Sequence, residues 1–171
     1  MQFERYHPIM TAHYVLDWLT MYKVKDIFAL RHDETVAAMI GRNVDADLMT
    51  TTTYVNRTMS QVMNNEALIW GIGDKLTQQY LGTFSFLHFD TNRTVAEIQF
   101  ELLPVIQQHG VMTEVLTHMM SFAFDELNLK RLLANVSEEN RAASDLLIAQ
   151  GFSAVDHVGR VLVYELIADQ R

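Results

Sequence analysis

Gln107-Gln108-His109-Gly110-Val111-Met112-Thr113-Glu114 decides how this chain is read. A glycine-bearing turn there feeds straight into a long amphipathic segment in which Met112, Val115, Leu116, Met119, Met120, Ala123 and Leu127 recur at spacings of three and four. That periodicity predicts a helix of about five turns with one apolar face. The first N–H groups of such a helix have no partner inside it and carry the positive end of the macrodipole, so the junction reads as a cradle for phosphate oxygens. It also reads as an ordinary helix start with glycine as punctuation, and these eight residues alone leave both open. The methionines on the helix read as core filler, a use their flexible side chains suit.

Upstream of the turn, Ala67 to Gly73, Tyr80 to Phe89 and Val95 to Leu103 are β-branched or aromatic runs separated by polar turns at Asp74-Lys75 and Asp90-Thr91-Asn92-Arg93. Three consecutive antiparallel strands are the simplest arrangement, the last ended by Pro104, which has no N–H to donate. Further back, Met10 to Leu19 reads as a first strand. Val24 to Leu30 reads as a helix continuing toward Thr35 to Ile40, broken by Gly41-Arg42-Asn43, and residues 51–65 read as a surface helix. Downstream, Arg131 to Val136 reads as a strand, Arg141 to Gln150 as a helix ended by Gly151, and Phe152 to Arg160 with Val161 to Ile167 as a closing hairpin. The order is β-α-α-β-β-β-α-β-α-β-β. It predicts a mixed α/β (α+β) layer fold, a largely antiparallel seven-stranded sheet flanked by helices.

Length and composition bound the rest. A chain of 171 residues with 49% hydrophobic content is the size of one domain, and two prolines and seven glycines offer no linker, so residues 1–171 are expected to form a single domain. The absence of cysteine excludes disulfides, thiolate metal sites and a cysteine nucleophile, and fits a reducing cytoplasm. No apolar run approaches the length needed to span a bilayer and the amino terminus lacks a signal pattern, so a soluble, unprocessed cytoplasmic protein without membrane partners is expected. A net charge of −8 with 13 basic residues disfavours nucleic acid and favours a cationic or amine-bearing partner.

Taken together, these elements and their local sequences resemble the GNAT superfamily of acyl-CoA-dependent N-acetyltransferases, in particular its RimJ/RimL-like branch, the ribosomal-protein amino-terminal acetyltransferase type. Gln107 to Val115 resembles the family's acetyl-CoA signature at the glutamine, the central glycine and the Met-Thr-Glu run. Ser121 to Leu132 resembles the helix end and following strand, and Val136 to Leu147 with Gly151-Phe152 resembles the Val-x-x-x-Asn-x-x-Ser-x-x-Leu-Leu and Gly-Phe pattern. Departures fall at Gln108 and His109, where the signature has glycine and a basic residue, and at Gln99, where the family's Ala-Glu-Ile-Gly-Tyr strand has glycine. They make the loop bulkier and less basic and reshape the acceptor side.

The resemblance implies acetyl-CoA as cosubstrate and a primary amine, a protein amino terminus or a small cationic amine, as acceptor. Pantetheine would lie against backbone near Phe100 and Leu102, and the phosphates on the turn formed by Gln107, Gln108, His109, Gly110, Val111, Met112 and Thr113. Such a transfer needs an amine that attacks as its free base, stabilisation of the oxyanion and departure of the thiolate. Glu97 is the expected general base, directly or through water, or else a solvated or salt-bridged strand residue. Ser144 is expected to hydrogen bond the leaving thiolate, and Asn140 to hold pantetheine amides or to cap a helix. The histidines His7, His13, His32, His88, His109, His118 and His157 show no ligand-type spacing, so no metal is expected. His88 and His118 are alternative bases or plain surface and core residues, and Trp18, Trp70 and Tyr54 line the acceptor pocket or the core. Many relatives are dimers, so a homodimer through exposed apolar residues of the closing hairpin is one expected assembly. A non-catalytic acyl-CoA-binding or regulatory module of the same fold is the competing reading, motivated by Gln99, Gln108 and His109.

Overall fold

The computed structural model describes residues 2–170. These form one sheet of eight strands, β1 (Ile9–Met10), β2 (Tyr14–Trp18), β3 (Leu68–Asp74), β4 (Tyr80–Leu87), β5 (Val95–Leu102), β6 (Arg131–Ser137), β7 (Ser153–Val158) and β8 (Val161–Ile167), in the order β1-β2-β3-β4-β5-β6-β8-β7. The α-helices are α1 (Val24–Arg31), α2 (Glu34–Ile40), α3 (Leu48–Met63), α4 (Val111–Ser121) and α5 (Arg141–Ala149). Every strand pairing is antiparallel except that of β5 with β6.

The sheet is covered on both faces, which is why β3 is buried along most of its length. Leu68, Trp70 and Ile72 point to one face, where they join Leu16, Phe84, Phe86, Ile98 and Leu132 under Val115, Leu116 and Met119 of α4 and Leu147 of α5. Ala67 and Ile69 point to the other, under Ile27 and Leu30 of α1, Val36 of α2 and Val55 of α3. Trp18 stacks on Trp70 with ring centroids 5.8 Å apart, so both tryptophans belong to the core.

The predicted mixed sheet flanked by helices is present, with eight strands where seven were expected. The extra one arises because the run at Met10 to Leu19 folds back on itself: Thr11 N–H donates to Tyr14 O at 2.9 Å, and Ile9 pairs with Leu16. Helix α1 stops short of Thr35 because Asp33 leaves the helical conformation to cap α2, accepting from Val36 N–H at 2.8 Å. Asp47 does the same for α3 at Thr50, which starts that helix at Leu48. The long helix ends in a π turn at Phe122–Glu126. In the closing hairpin Val155, Val158 and Val161 are exposed.

Candidate active site

Strands β5 and β6 pair over three residues only, Val95 with Arg131, Ala96 with Leu132 and Glu97 with Leu133. Beyond that point β5 continues along β4 and β6 continues along β8, so the middle of the sheet opens into a fork. Leu103 N–H donates to Leu81 O at 2.9 Å on the β4 side. Successive peptide groups of a strand point to opposite sides, so those of Glu101 and Gln99 also face β4, while those of Ile98, Phe100 and Leu102 face the gap. Gln107 confirms the direction: its Nε2 donates to Leu102 O at 3.1 Å from the gap side. Gly82, opposite Leu102, keeps β4 and β5 together here, because a Cβ at that position would run into the Glu101 carbonyl oxygen.

The turn after β5 delivers the chain to α4. Gln108 and Gly110 both adopt left-handed backbone, with φ of 64° and 83°, and Gly110 is the N-cap. Glycine takes that conformation without the penalty a side chain brings. Helices α2, α3 and α5 start under an Asp or Asn side chain, but no side chain caps α4. Its first intrahelical bond is Glu114 N–H to Gly110 O, which leaves the N–H groups of Val111, Met112 and Thr113 to the space in front of the helix. Glu114 is held away from that space, accepting from Thr11 Oγ1 and from the N–H and Nδ1 of His13 at 2.8 and 2.6 Å.

That space is a cleft of about 570 Å³ with apolar walls from Val36, Met39 and Ile40 of α2 on one side and Ala142, Ala143, Leu146 and Ala149 of α5 on another. Phe100, Leu102, Gln107, Gln108, Gly110, Met112, Thr113 and Asn140 all line it. His109 and Val111 do not: the imidazole is exposed on the turn, and Val111 is packed in the core. Asn140 Oδ1 accepts from Ala143 N–H at 3.2 Å, the helix-capping arrangement, with its residue still on the cleft wall. Ser144 lies elsewhere. The cleft-facing positions of α5 are Ala142, Ala143, Asp145, Leu146 and Ala149, and at about 100° per residue Ser144 falls on the opposite side of the helix. The geometry gives Ser144 no access to a group bound in the cleft, and its expected contact with a leaving thiolate has no structural support.

Through Ile40, Phe100 and Glu101 the cleft adjoins a smaller cavity of about 190 Å³, which through Tyr54, Ser85 and Gln99 adjoins a larger one of about 740 Å³. The two further cavities lie where β5 turns Gln99 and Glu101 toward the α1–α3 face of the sheet; Glu97, on the same strand face, lines none of the three. Glu97 occupies the base of the fork. Its Oε2 accepts from His88 Nδ1 at 2.7 Å and its Oε1 from Asn135 Nδ2 at 3.2 Å, so His88, expected only as an alternative base, joins it. His118, on the exposed side of α4, does not.

A buried polar network walls the small cavity. Arg42 grips Glu101 through Nε and Nη2 at 3.2 and 3.3 Å, and Arg31 grips Asp45 at 2.7 and 3.2 Å while lying 3.5 Å over the Tyr54 ring. Burial pushes the Glu101 carboxyl above the usual carboxylate range, against the opposing pull of Arg42 and Arg31. Sequence reasoning missed this network, although Glu101 shares a strand face with Glu97 at even spacing. Among the described residues no group of three or more His, Asp or Glu side chains could hold a metal ion, and no helix is long and apolar enough to cross a membrane.

The cleft, the free N–H groups and the fork all fall within a region that comparison with known proteins identifies. Residues 14–153 match the acetyltransferase (GNAT) domain family. The chain is 26% identical over 146 residues to an uncharacterized N-acetyltransferase, YoaA, of Bacillus subtilis (strain 168), a match spanning 85% of this chain and 82% of that protein. Its fold is similar to that of a Vibrio cholerae protein assigned as a ribosomal-protein-serine acetyltransferase, with a TM-score of 0.81 and 21% identity over 94% of this chain and 97% of the other. It is also similar to spermidine N-acetyltransferase from Vibrio cholerae, solved in complex with CoA and spermine, with a TM-score of 0.80 and 17% identity over 92% and 96% of the two chains. The forked sheet with an uncapped helix at its mouth therefore belongs to a member of the GNAT family, an acyl-CoA-dependent acetyltransferase.

Proposed function

We propose that this protein transfers an acetyl group from acetyl-CoA to a primary amine, a protein amino terminus or a small cationic amine, by direct attack within a ternary complex. The observation that carries the proposal is the continuity of the fork, the uncapped α4 terminus and the cleft of about 570 Å³, which past Glu101 adjoins cavities on the other face lined by Gln99 and by His88, the partner of Glu97. The residues present fit the cosubstrate. The N–H groups of Val111, Met112 and Thr113 suit a pyrophosphate, and they compensate for a turn without the usual basic residue. The gap-facing peptide groups of Phe100 suit an extended chain bearing amides, and the aliphatic walls from α2 and α5 suit its methylenes.

Bound acetyl-CoA would supply an activated acyl group on sulfur. The protein's own part is to hold that group at the fork, keep water out with Ile40 and Phe100, and receive the proton that the amine gives up. Glu97 at the base of the fork, with the His88 bound to it, is the pair toward which that proton is directed. The acidic balance of the chain, at −8, suits a cationic acceptor, and the relatives named for ribosomal-protein and spermidine acetylation suit the two acceptor classes. The reading treats residues 1–171 as one acetyltransferase domain acting in the cytoplasm, on the RimJ/RimL-like pattern, with no metal.

Calorimetry with acetyl-CoA followed by CoA-release assays on amino-terminal peptides and polyamines tests the proposal. Binding with turnover that Glu97→Gln suppresses supports it. Binding without turnover on any amine identifies a non-catalytic acyl-CoA-binding module, and no binding at millimolar acetyl-CoA overturns both.

A further inference from the structure

The proton path at the fork can be resolved further, on the reading just given. Both oxygens of Glu97 are engaged within the protein, one by His88 and the other by Asn135. An ionised carboxylate only accepts, so Nδ1 of His88 carries the hydrogen, and it is the neutral form of the ring that has its lone pair on Nε2. The ring lines the cavity of about 740 Å³ together with Gln99, and its side chain is 73% exposed, so Nε2 is the ring nitrogen left to that space. His88 follows the last residue of β4 and has a left-handed backbone with φ of 52°, a conformation uncommon outside glycine. Glu97, on β5, sits opposite Leu87 of β4, and Asn135 reaches it from β6 across the base of the fork. A carboxylate bonded to one imidazole nitrogen while the other faces a cavity is an arrangement suited to taking up a proton.

We propose that His88 Nε2 takes the proton from the attacking amine, and that Glu97, itself held by Asn135, is a positioning residue that fixes the tautomer and stabilises the imidazolium. The amine enters as its free base. Its lone pair forms the N–C bond to the acyl carbon, the C–S bond breaks with its electron pair going to sulfur, and the amine proton passes to Nε2. The thiolate takes a proton from water and the imidazolium returns one, so the balance closes at amide and free thiol. The charged and titratable groups facing His88 are Glu97 from β5, Tyr54 and Arg57 from α3, Glu66 from the turn after α3, and Asp90 and Arg93 from the turn before β5.

The test uses His88→Asn, since asparagine tolerates left-handed backbone but cannot take up a proton at neutral pH. His88→Ala with added imidazole is the second variant. Steady-state rates are read on whichever amine the wild type acetylates, across pH 5.5–9, with acetyl-CoA affinity by calorimetry. His88→Asn is expected to lose about 10²–10³-fold in kcat, with acetyl-CoA affinity within twofold and one titration fewer on the acid limb of kcat/KM. Imidazole restores part of the rate to His88→Ala. Asn135→Ala is expected to lose about tenfold in kcat and to shift the same limb, which a purely structural role would not do. Full activity of His88→Asn together with a large loss in Glu97→Gln overturns the proposal and returns the proton to Glu97 itself. A wild type inactive on every amine overturns the acetyl-transfer reading instead, and the two failures are therefore distinct.

Discussion

Replacing Arg42 by methionine probes the packing on which the acceptor side rests. The Glu101 side chain is 9% exposed and that of Arg42 17%, and the pair is joined by two hydrogen bonds. Arg42 also donates to the carbonyls of Leu30, Arg31 and Asn43 at 3.2, 2.8 and 3.1 Å, tying the end of α1 to the turn after α2. Methionine restores much of the volume but leaves a buried carboxylate unpaired, which costs about 3–5 kcal/mol. Each carbonyl that water does not recover adds about 0.5–1.5 kcal/mol, while Arg31 nearby offsets part of the charge, so a net loss of about 4 kcal/mol at pH 7 is expected. The pH dependence has a definite sign. Burial holds the Glu101 carboxyl above its ordinary range, and losing Arg42 lets it rise further. The folded state then binds more protons than the unfolded one, so stability is present below the ordinary carboxylate range and is lost as pH rises through the folded value. Urea unfolding of wild type, Arg42→Met, Glu101→Gln and the double variant, at pH 5 and pH 7, measures this. Arg42→Met is expected to lose more at pH 7 than at pH 5, and adding Glu101→Gln recovers most of the loss. A cost below about 1 kcal/mol at pH 7, or the same cost at both pH values, refutes the reasoning.

Three further outcomes follow from geometry already described. Thr113→Glu puts a carboxylate at the uncapped start of α4, so acetyl-CoA affinity is expected to fall at least tenfold by calorimetry while thermal stability is unchanged or rises, by up to about 1 kcal/mol. Gly82→Ala drives a methyl group into the Glu101 carbonyl, and is expected to lower both the unfolding midpoint and acetyl-CoA affinity by forcing β5 off β4. Glu114→Ala releases the turn between β1 and β2 from α4. Burial raises the Glu114 carboxyl, but hydrogen bonds from Thr11 and His13 overcome it and leave it below its usual range. Its contribution is therefore present at neutral pH and lost as pH falls through the folded value, so the variant is expected to cost about 1–2 kcal/mol at pH 7 and less near pH 3 in chemical denaturation.

Much of this architecture was legible in the residues because it rests on short-range patterns. The 3.6-residue period of Met112 to Met120, the alternating runs from Ala67 to Leu103 and the Gly110 turn each encode their element locally. The asparagine cap at Asn140 was legible for the same reason. What escaped depends on groups brought together from afar. Arg42 and Glu101 are 59 residues apart, and Asn135 reaches Glu97 across 38. Ser144 shows a finer limit: a motif places a residue on a helix, but one step along that helix turns it by about 100°, enough to move a hydroxyl from the cleft wall to the far side. The split of the first strand was hidden because the bonds that fold it back at Thr11 are fixed by Glu114, on a helix read as a separate unit.

The fork also makes β5 behave as two kinds of strand at once. Along its outer half, the amides of Gln99 and Glu101 are locked against β4, whereas that of Phe100 between them faces the gap like one on the rim of a sheet. Hydrogen–deuterium exchange along this strand is expected to alternate with a period of two, the locked amides exchanging only through wider unfolding and the Phe100 amide exchanging quickly although it lies mid-sheet. An extended molecule that bridges the fork turns this inner border into an interior one, and the alternation disappears.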